Sequence, residues 1–83
     1  MYRLVIRETA QKQMEHLTEE LYTSIKRRIL NLRDEPRPRG VKKLMGNLGW
    51  RIRVGDYRVI YHINDDEQVV RIAAVKPRQS AYR

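Results

Sequence analysis

Eighty-three residues allow one domain, spanning 1–83, and a chain this short buries only about 60% of the surface its unfolded form exposes, so one modest core is the limit. The absence of Cys excludes disulfide staples and thiol-rich metal sites, and the isolated His16 and His62 argue against a dedicated zinc site, so no metal and no small-molecule cofactor are expected. A formal charge of +8 points to an anionic partner, whether nucleic acid, an acidic protein or an anionic membrane surface, and does not by itself choose among them.

The N-terminal run Met1-Tyr2-Arg3-Leu4-Val5-Ile6-Arg7 is interrupted by charge, so it reads neither as a signal peptide nor as a membrane span, and a cytoplasmic protein is expected. Tyr2, Leu4 and Ile6 alternate with Arg3, Val5 and Arg7, the pattern of a short first strand. From Thr9 the period changes. Ala10, Met14 and Leu17 fall at i, i+4 and i+7, and Leu21, Ile25, Ile29 and Leu32 continue at helical spacing, which predicts two amphipathic helices. Thr18 separates them as an N-cap, with Glu19 and Glu20 in the following turn and Lys26, Arg27, Arg28 and Arg33 loading the C-terminal half, a charge order that suits the helix dipole.

Pro36-Arg37-Pro38-Arg39-Gly40 ends the second helix, because proline removes a backbone donor and restricts the residue before it. Arg37 and Arg39 are expected to be solvated linker charges. Val41 to Leu44 is a candidate early strand, and Met45-Gly46-Asn47-Leu48-Gly49 a loop. Trp50 to Val54 and Tyr57 to Tyr61 alternate on either side of Gly55-Asp56, which predicts a β-hairpin with Val54 opposite Tyr57, Arg53 opposite Arg58 and Ile52 opposite Val59. Asn64 to Gln68 is a polar turn. Val69 to Val75 is the last strand, with Val70, Ile72 and Ala74 expected on one face and Arg71, Ala73 and Val75 on the other. The order is βααβββ, an α+β fold with two N-terminal helices packed on one face of a small, mainly antiparallel sheet.

In the hairpin, Trp50, Ile52, Val54, Tyr57, Val59 and Tyr61 share an apolar face for the helices, while Arg51, Arg53 and Arg58 share the open face with Ile60 and His62. Like charges opposite each other across a strand pair cost roughly 0.2 to 1 kcal/mol. An anion on that face would reverse the sign. Alternate arginines also serve as a solvated face that resists aggregation, so the hairpin needs further residues to define a site. Arg78 and Tyr82 in the tail supply them. Guanidinium forks around a phosphate, with a tyrosine nearby and no metal, suit RNA cleavage by the RNA's own 2′-hydroxyl. The arginines would neutralise charge on the equatorial oxygens, and Tyr82, its phenolate favoured by neighbouring cations, is the candidate general base. The residues leave the general acid open.

The element order, the hairpin GWRIRVGDYRVIYHI and the tail VKPRQSAYR resemble RelE-type toxins of the RelE/ParE superfamily, and the resemblance spans nearly the whole chain. Basic residues stand in such toxins at the positions of Arg51, Arg53, Arg58 and Arg78, with a catalytic Tyr at the position of Tyr82. The resemblance implies a type II toxin-antitoxin toxin, a ribosome-dependent endoribonuclease that cleaves mRNA in the A site and leaves a 2′,3′-cyclic phosphate and a 5′-hydroxyl. It also implies a cognate antitoxin partner, with DNA reached only through the antitoxin complex. The alternative within the superfamily is a ParE-like inhibitor of DNA gyrase, without nuclease activity. The chain departs from the pattern at Arg51 and Arg53, where Lys is common, and at Pro77, where many relatives carry His or another basic residue.

Overall fold

The computed structural model describes residues 1–78, in the order β1 (Arg3–Ile6), α1 (Glu8–Glu15), α2 (Glu19–Asn31), β2 (Lys42–Lys43), β3 (Trp50–Val54), β4 (Tyr57–Asn64) and β5 (Val69–Pro77). The five strands form one sheet in the order β1-β5-β4-β3-β2. Strands β2 to β5 pair antiparallel, and β1 pairs parallel with β5. The parallel pair follows from the two helices, which supply the long crossover such a pair needs. The short β2 lies within the early strand expected at Val41 to Leu44. It adds an edge strand to the βααβββ order.

The helices cover one face of the sheet, α1 against β5 and α2 against β3. Ala10 and Met14 of α1 and Ile25 and Ile29 of α2 are buried, one side of each helix as the spacing requires. Thr18 caps α2: its hydroxyl accepts from the Leu21 N–H at 3.2 Å. Gln13 of α1 reaches the sheet, where its side-chain oxygen accepts from the Val75 N–H at 2.6 Å. Ile52, Val54, Val59, Tyr61, Val70 and Ile72 meet the helices in the core, with Trp50 and Tyr57 packed at its margin. Tyr61 is fully buried, and its hydroxyl donates to the Pro36 carbonyl at 2.7 Å, so the core holds the end of the helical layer by a satisfied polar group.

The last strand departs from simple alternation. Val59 faces Val75 and Ile60 faces Ala74, but Tyr61 faces Ile72, so Ala73 is an extra residue in β5. This bulge reverses the facing of every later residue. Val75 therefore joins Val70 and Ile72 in the core, contrary to the alternation read from sequence, and Ala74 lies opposite Ile60 outside the core cluster.

Candidate nucleic-acid interface

The hairpin has the register its sequence predicts: Val54 pairs with Tyr57, Arg53 with Arg58 and Ile52 with Val59. Gly55 has φ +60° and Asp56 is not left-handed, the backbone of a turn with positive φ only at its first central residue. The turn thus places Arg53 and Arg58 directly opposite each other. In β5 the bulge adds a third cation to this row, because Lys76 pairs with Arg58. Without the bulge, Lys76 would share the face of Val70 and Ile72 and be sent toward the helices. Sequence alternation alone misses it for that reason.

Three cationic residues on three adjacent strands, with neighbours about 4.5 to 5.5 Å apart at Cβ, concentrate positive charge at the hairpin end of the open face. Among the described residues, the carboxylates that form ion pairs hold Lys12 (to Glu8) and Arg37 (to Asp65), so none neutralises this row. Strands β1 to β5 carry no acidic residue at all. The Arg58 Nε is buried and lacks a hydrogen-bond partner among the described residues. A buried guanidinium donor without an acceptor is costly.

Arg51 stands one row farther from the turn, between Lys42 of β2 and Ile60 of β4, and is half-buried. Arg78 directly follows β5, and its backbone N–H donates to the Asp56 carbonyl at 2.6 Å. That bond ties the start of the tail to the hairpin turn, beside the Arg53–Arg58–Lys76 row. The structure therefore groups Arg51, Arg53, Arg58 and Arg78 at one end of the sheet. Tyr82 lies outside the described residues. Among the described residues no cluster of His, Cys, Asp or Glu is arranged to hold a metal ion, and no helix is long and apolar enough to cross a membrane.

Arg37 has a different role from the solvated linker charge expected of it. Its guanidinium donates to both carboxylate oxygens of Asp65, at 3.2 and 2.9 Å, and lies 5.0 Å from the centre of the Trp50 ring. Tyr2 donates to the same carboxylate at 2.6 Å. Bidentate geometry and ring stacking convert a linker cation into a tie joining the segment after α2, the β4–β5 turn and β3. The Arg37 guanidinium, followed by the Tyr2 hydroxyl, holds the Asp65 carboxyl below its ordinary range, and donation to Asp65 pushes the Tyr2 phenol up.

The family model of the ParE toxin of type II toxin-antitoxin systems, parDE, matches residues 4–82. A chain of the archaeal RelE–RelB complex from Pyrococcus horikoshii OT3 is 36% identical, with 93% of this chain and 94% of that one covered and a TM-score of 0.83. A chain of the RelBE2 toxin-antitoxin complex from Mycobacterium tuberculosis is 26% identical over 93% of this chain and 98% of its own, with a TM-score of 0.81. One from the RelB–RelE complex of Methanococcus jannaschii is 27% identical over 94% of each chain, with a TM-score of 0.71. Comparison with curated protein sequences gives no match. A mixed sheet of this order, two helices on one face and a family match over nearly the whole length place the chain in the RelE/ParE superfamily, as a RelE-type toxin of a type II toxin-antitoxin system.

Proposed function

We propose that this toxin is a ribosome-dependent endoribonuclease that cleaves mRNA in the A site, acts in the cytoplasm and is held in check by a cognate antitoxin. The observation that carries the reading is the Arg53–Arg58–Lys76 row, in which the buried Arg58 Nε has no acceptor among the described residues. The solved relatives from Pyrococcus horikoshii and Mycobacterium tuberculosis are toxin-antitoxin complexes, which supports the antitoxin as partner.

Cleavage would begin with the RNA 2′-hydroxyl oxygen attacking the adjacent phosphorus. The P–O5′ bond breaks, a 2′,3′-cyclic phosphate forms, and the departing O5′ takes a proton from a water molecule to become a hydroxyl. Tyr82 as phenolate accepts the 2′-hydroxyl proton. Arg53, Arg58 and Lys76 neutralise the charge that grows on the non-bridging oxygens, and Arg51 and Arg78 orient the strand from either side of that row. Positioning and charge stabilisation suffice for such a transfer, because the nucleophile belongs to the substrate. The ribosome would supply the bent mRNA conformation that aligns attacking and leaving oxygens.

A second reading is a ParE-like poison of DNA gyrase, favoured by the match to the ParE toxin family model. Mapping of 5′ ends after induction separates the two. New 5′-hydroxyl ends at preferred codons support the ribonuclease; intact transcripts with inhibited supercoiling would establish the gyrase poison instead.

A further inference from the structure

The open face does not end at the row beside the hairpin turn. Four residues farther along β4, His62 pairs across the sheet with Arg71 of β5, and Val5 of β1 stands beside Arg71 in the same row. Both His62 and Arg71 are exposed, and neither has an acidic partner among the described residues. At about 3.3 Å per strand residue, the two rows lie about 13 Å apart. Between them runs the row of Lys42, Arg51 and the half-buried Ile60, with the small Ala74 buried beside it, so positive charge continues from one row to the other.

A second feature lies beside His62. Its imidazole rests against Gly49, so close that a Cβ added there would stand 3.0 Å from the ring. The same imidazole lines a shallow, mainly polar depression of about 220 Å³ with Lys43, Gly46, Asn47 and Trp50. The far row thus combines a guanidinium, an imidazole and a polar hollow. Such a hollow is too small to seat a folded partner.

We propose that His62 and Arg71 form a second phosphate subsite, which holds the same RNA strand about two nucleotides from the Arg53–Arg58–Lys76 row. This rests on the ribonuclease reading, and it fixes the path of the substrate: the backbone runs along β4, past Arg51 and Ile60. Phosphates held at rows about 13 Å apart give length-dependent affinity. They carry no base-specific readout, since cationic side chains on the phosphates read backbone charge alone.

The test is fluorescence anisotropy with the full chain and labelled RNA whose 2′-hydroxyls are all methylated, so that it cannot be cleaved. A trinucleotide reaches one row; a heptanucleotide reaches both. The His62→Ala/Arg71→Ala double variant is expected to bind the heptanucleotide about tenfold more weakly, the effect of removing a charge-assisted hydrogen bond, and the trinucleotide as wild type does. Its slope of log affinity against log salt should fall by about 0.7 for each phosphate that is no longer neutralised. Arg27→Ala, which removes one charge from α2, should leave both lengths unchanged. Equal losses for Arg27→Ala and the double variant, or equal losses for the two RNA lengths, would overturn the subsite while leaving the ribonuclease reading in place. Length-dependent binding by a wild type that cuts no mRNA on ribosomes would keep the subsite and remove the ribonuclease. Binding of neither length by wild type would remove the subsite, and mRNA cleavage on ribosomes would then still decide the ribonuclease reading.

Discussion

Arg37 and Arg58 carry the same guanidinium into opposite surroundings. Arg37 is held by two carboxylate oxygens of Asp65 and lies over Trp50. Arg58 has Arg53 on one side and Lys76 on the other, with its Nε buried and without an acceptor among the described residues. The first cation is satisfied by the fold, so its removal should cost the fold. The second is in tension with its neighbours, and removing it should relieve the fold and cost the activity. The contrast between the two guanidinium groups, one held by a carboxylate and one with its Nε left without an acceptor among the described residues, is what supports the row as the proposed ligand site.

The largest expected effect breaks this comparison directly. Arg58→Ala should lower mRNA cleavage by about 10²- to 10³-fold, the usual loss when one donor to a developing oxyanion is removed, with a midpoint of urea unfolding equal to or above that of wild type. Arg37→Ala should do the reverse, with a lower midpoint and cleavage retained by the folded fraction. The measurement is the pair of midpoints beside the pair of single-turnover rates. An Arg58→Ala protein that unfolds early would show that the row serves the fold.

The second expected effect is on stability alone. Gly49 has φ +91°, and a Cβ there would collide with the Tyr61 carbonyl oxygen and press on His62. Gly49→Ala therefore carries the left-handed backbone cost, about 1 to 2 kcal/mol, together with an overpacking cost of about 1 to 3 kcal/mol. Gly55 has φ +60° but nothing within 4 Å of its would-be Cβ, so Gly55→Ala should show only the backbone part. Urea titration of the two variants should separate them by the overpacking cost. Equal destabilisation would mean that β3 and β4 can move apart at Gly49.

Tyr61→Phe is a smaller perturbation of the covered face. It leaves the buried ring in place and removes the donor to the Pro36 carbonyl, a loss of about 1 kcal/mol. Burial, against the opposing effect of Arg37 and then Arg28, pushes the Tyr61 phenol up to about 12. A folded pKa above the unfolded value means that this contribution is present below about pH 10 and is lost as the pH rises toward 12. Phe at this position should remove that alkaline loss. Unfolding midpoints between pH 8 and 11 would read it.

The hairpin was legible in the sequence because every signal agreed: strict alternation, a Gly-first loop and matched apolar partners fixed the register without help from the rest of the chain. The helices were legible for the same reason, down to the Thr18 cap. Lys76 was not, because its face depends on one extra residue at Ala73, and no local pattern in VVRIAAVKP marks where the strand will bulge. Arg37 was missed because its partner Asp65 lies 28 residues away and its ring partner Trp50 is on another strand. Composition can assign such an arginine to a linker, but only the fold closes the distance. The parallel pairing of β1 was equally non-local, since it depends on where the crossover returns the chain. Of the site residues, Arg51, Arg53 and Arg58 could be placed by alternation and Arg78 by the pairing of β5, whereas Tyr82 rests on family resemblance and its chemistry.

Asp65 gives the smallest effect and the sharpest pH signature. Its carboxyl is held below the ordinary range in the folded protein, by Arg37 first and Tyr2 second, so its contribution is fully present above the unfolded carboxyl pKa, near 4, and is lost as the pH falls through the folded value. Tyr2 is pushed up by the same hydrogen bond, so its share is present below about pH 10 and lost above it. Asp65→Asn keeps the shape and an acceptor but removes the charge. The difference in unfolding midpoint between wild type and Asp65→Asn should be constant from about pH 5 to 8 and shrink below about pH 4. Because the carboxylate is exposed, salt should also reduce it. The same titration on Arg58→Ala should run parallel to wild type throughout, since Arg58 has no carboxylate partner among the described residues to lose. An acid limb altered in Arg58→Ala would place a carboxylate against the open face and turn the row from a substrate clamp into part of an internal ion-pair network.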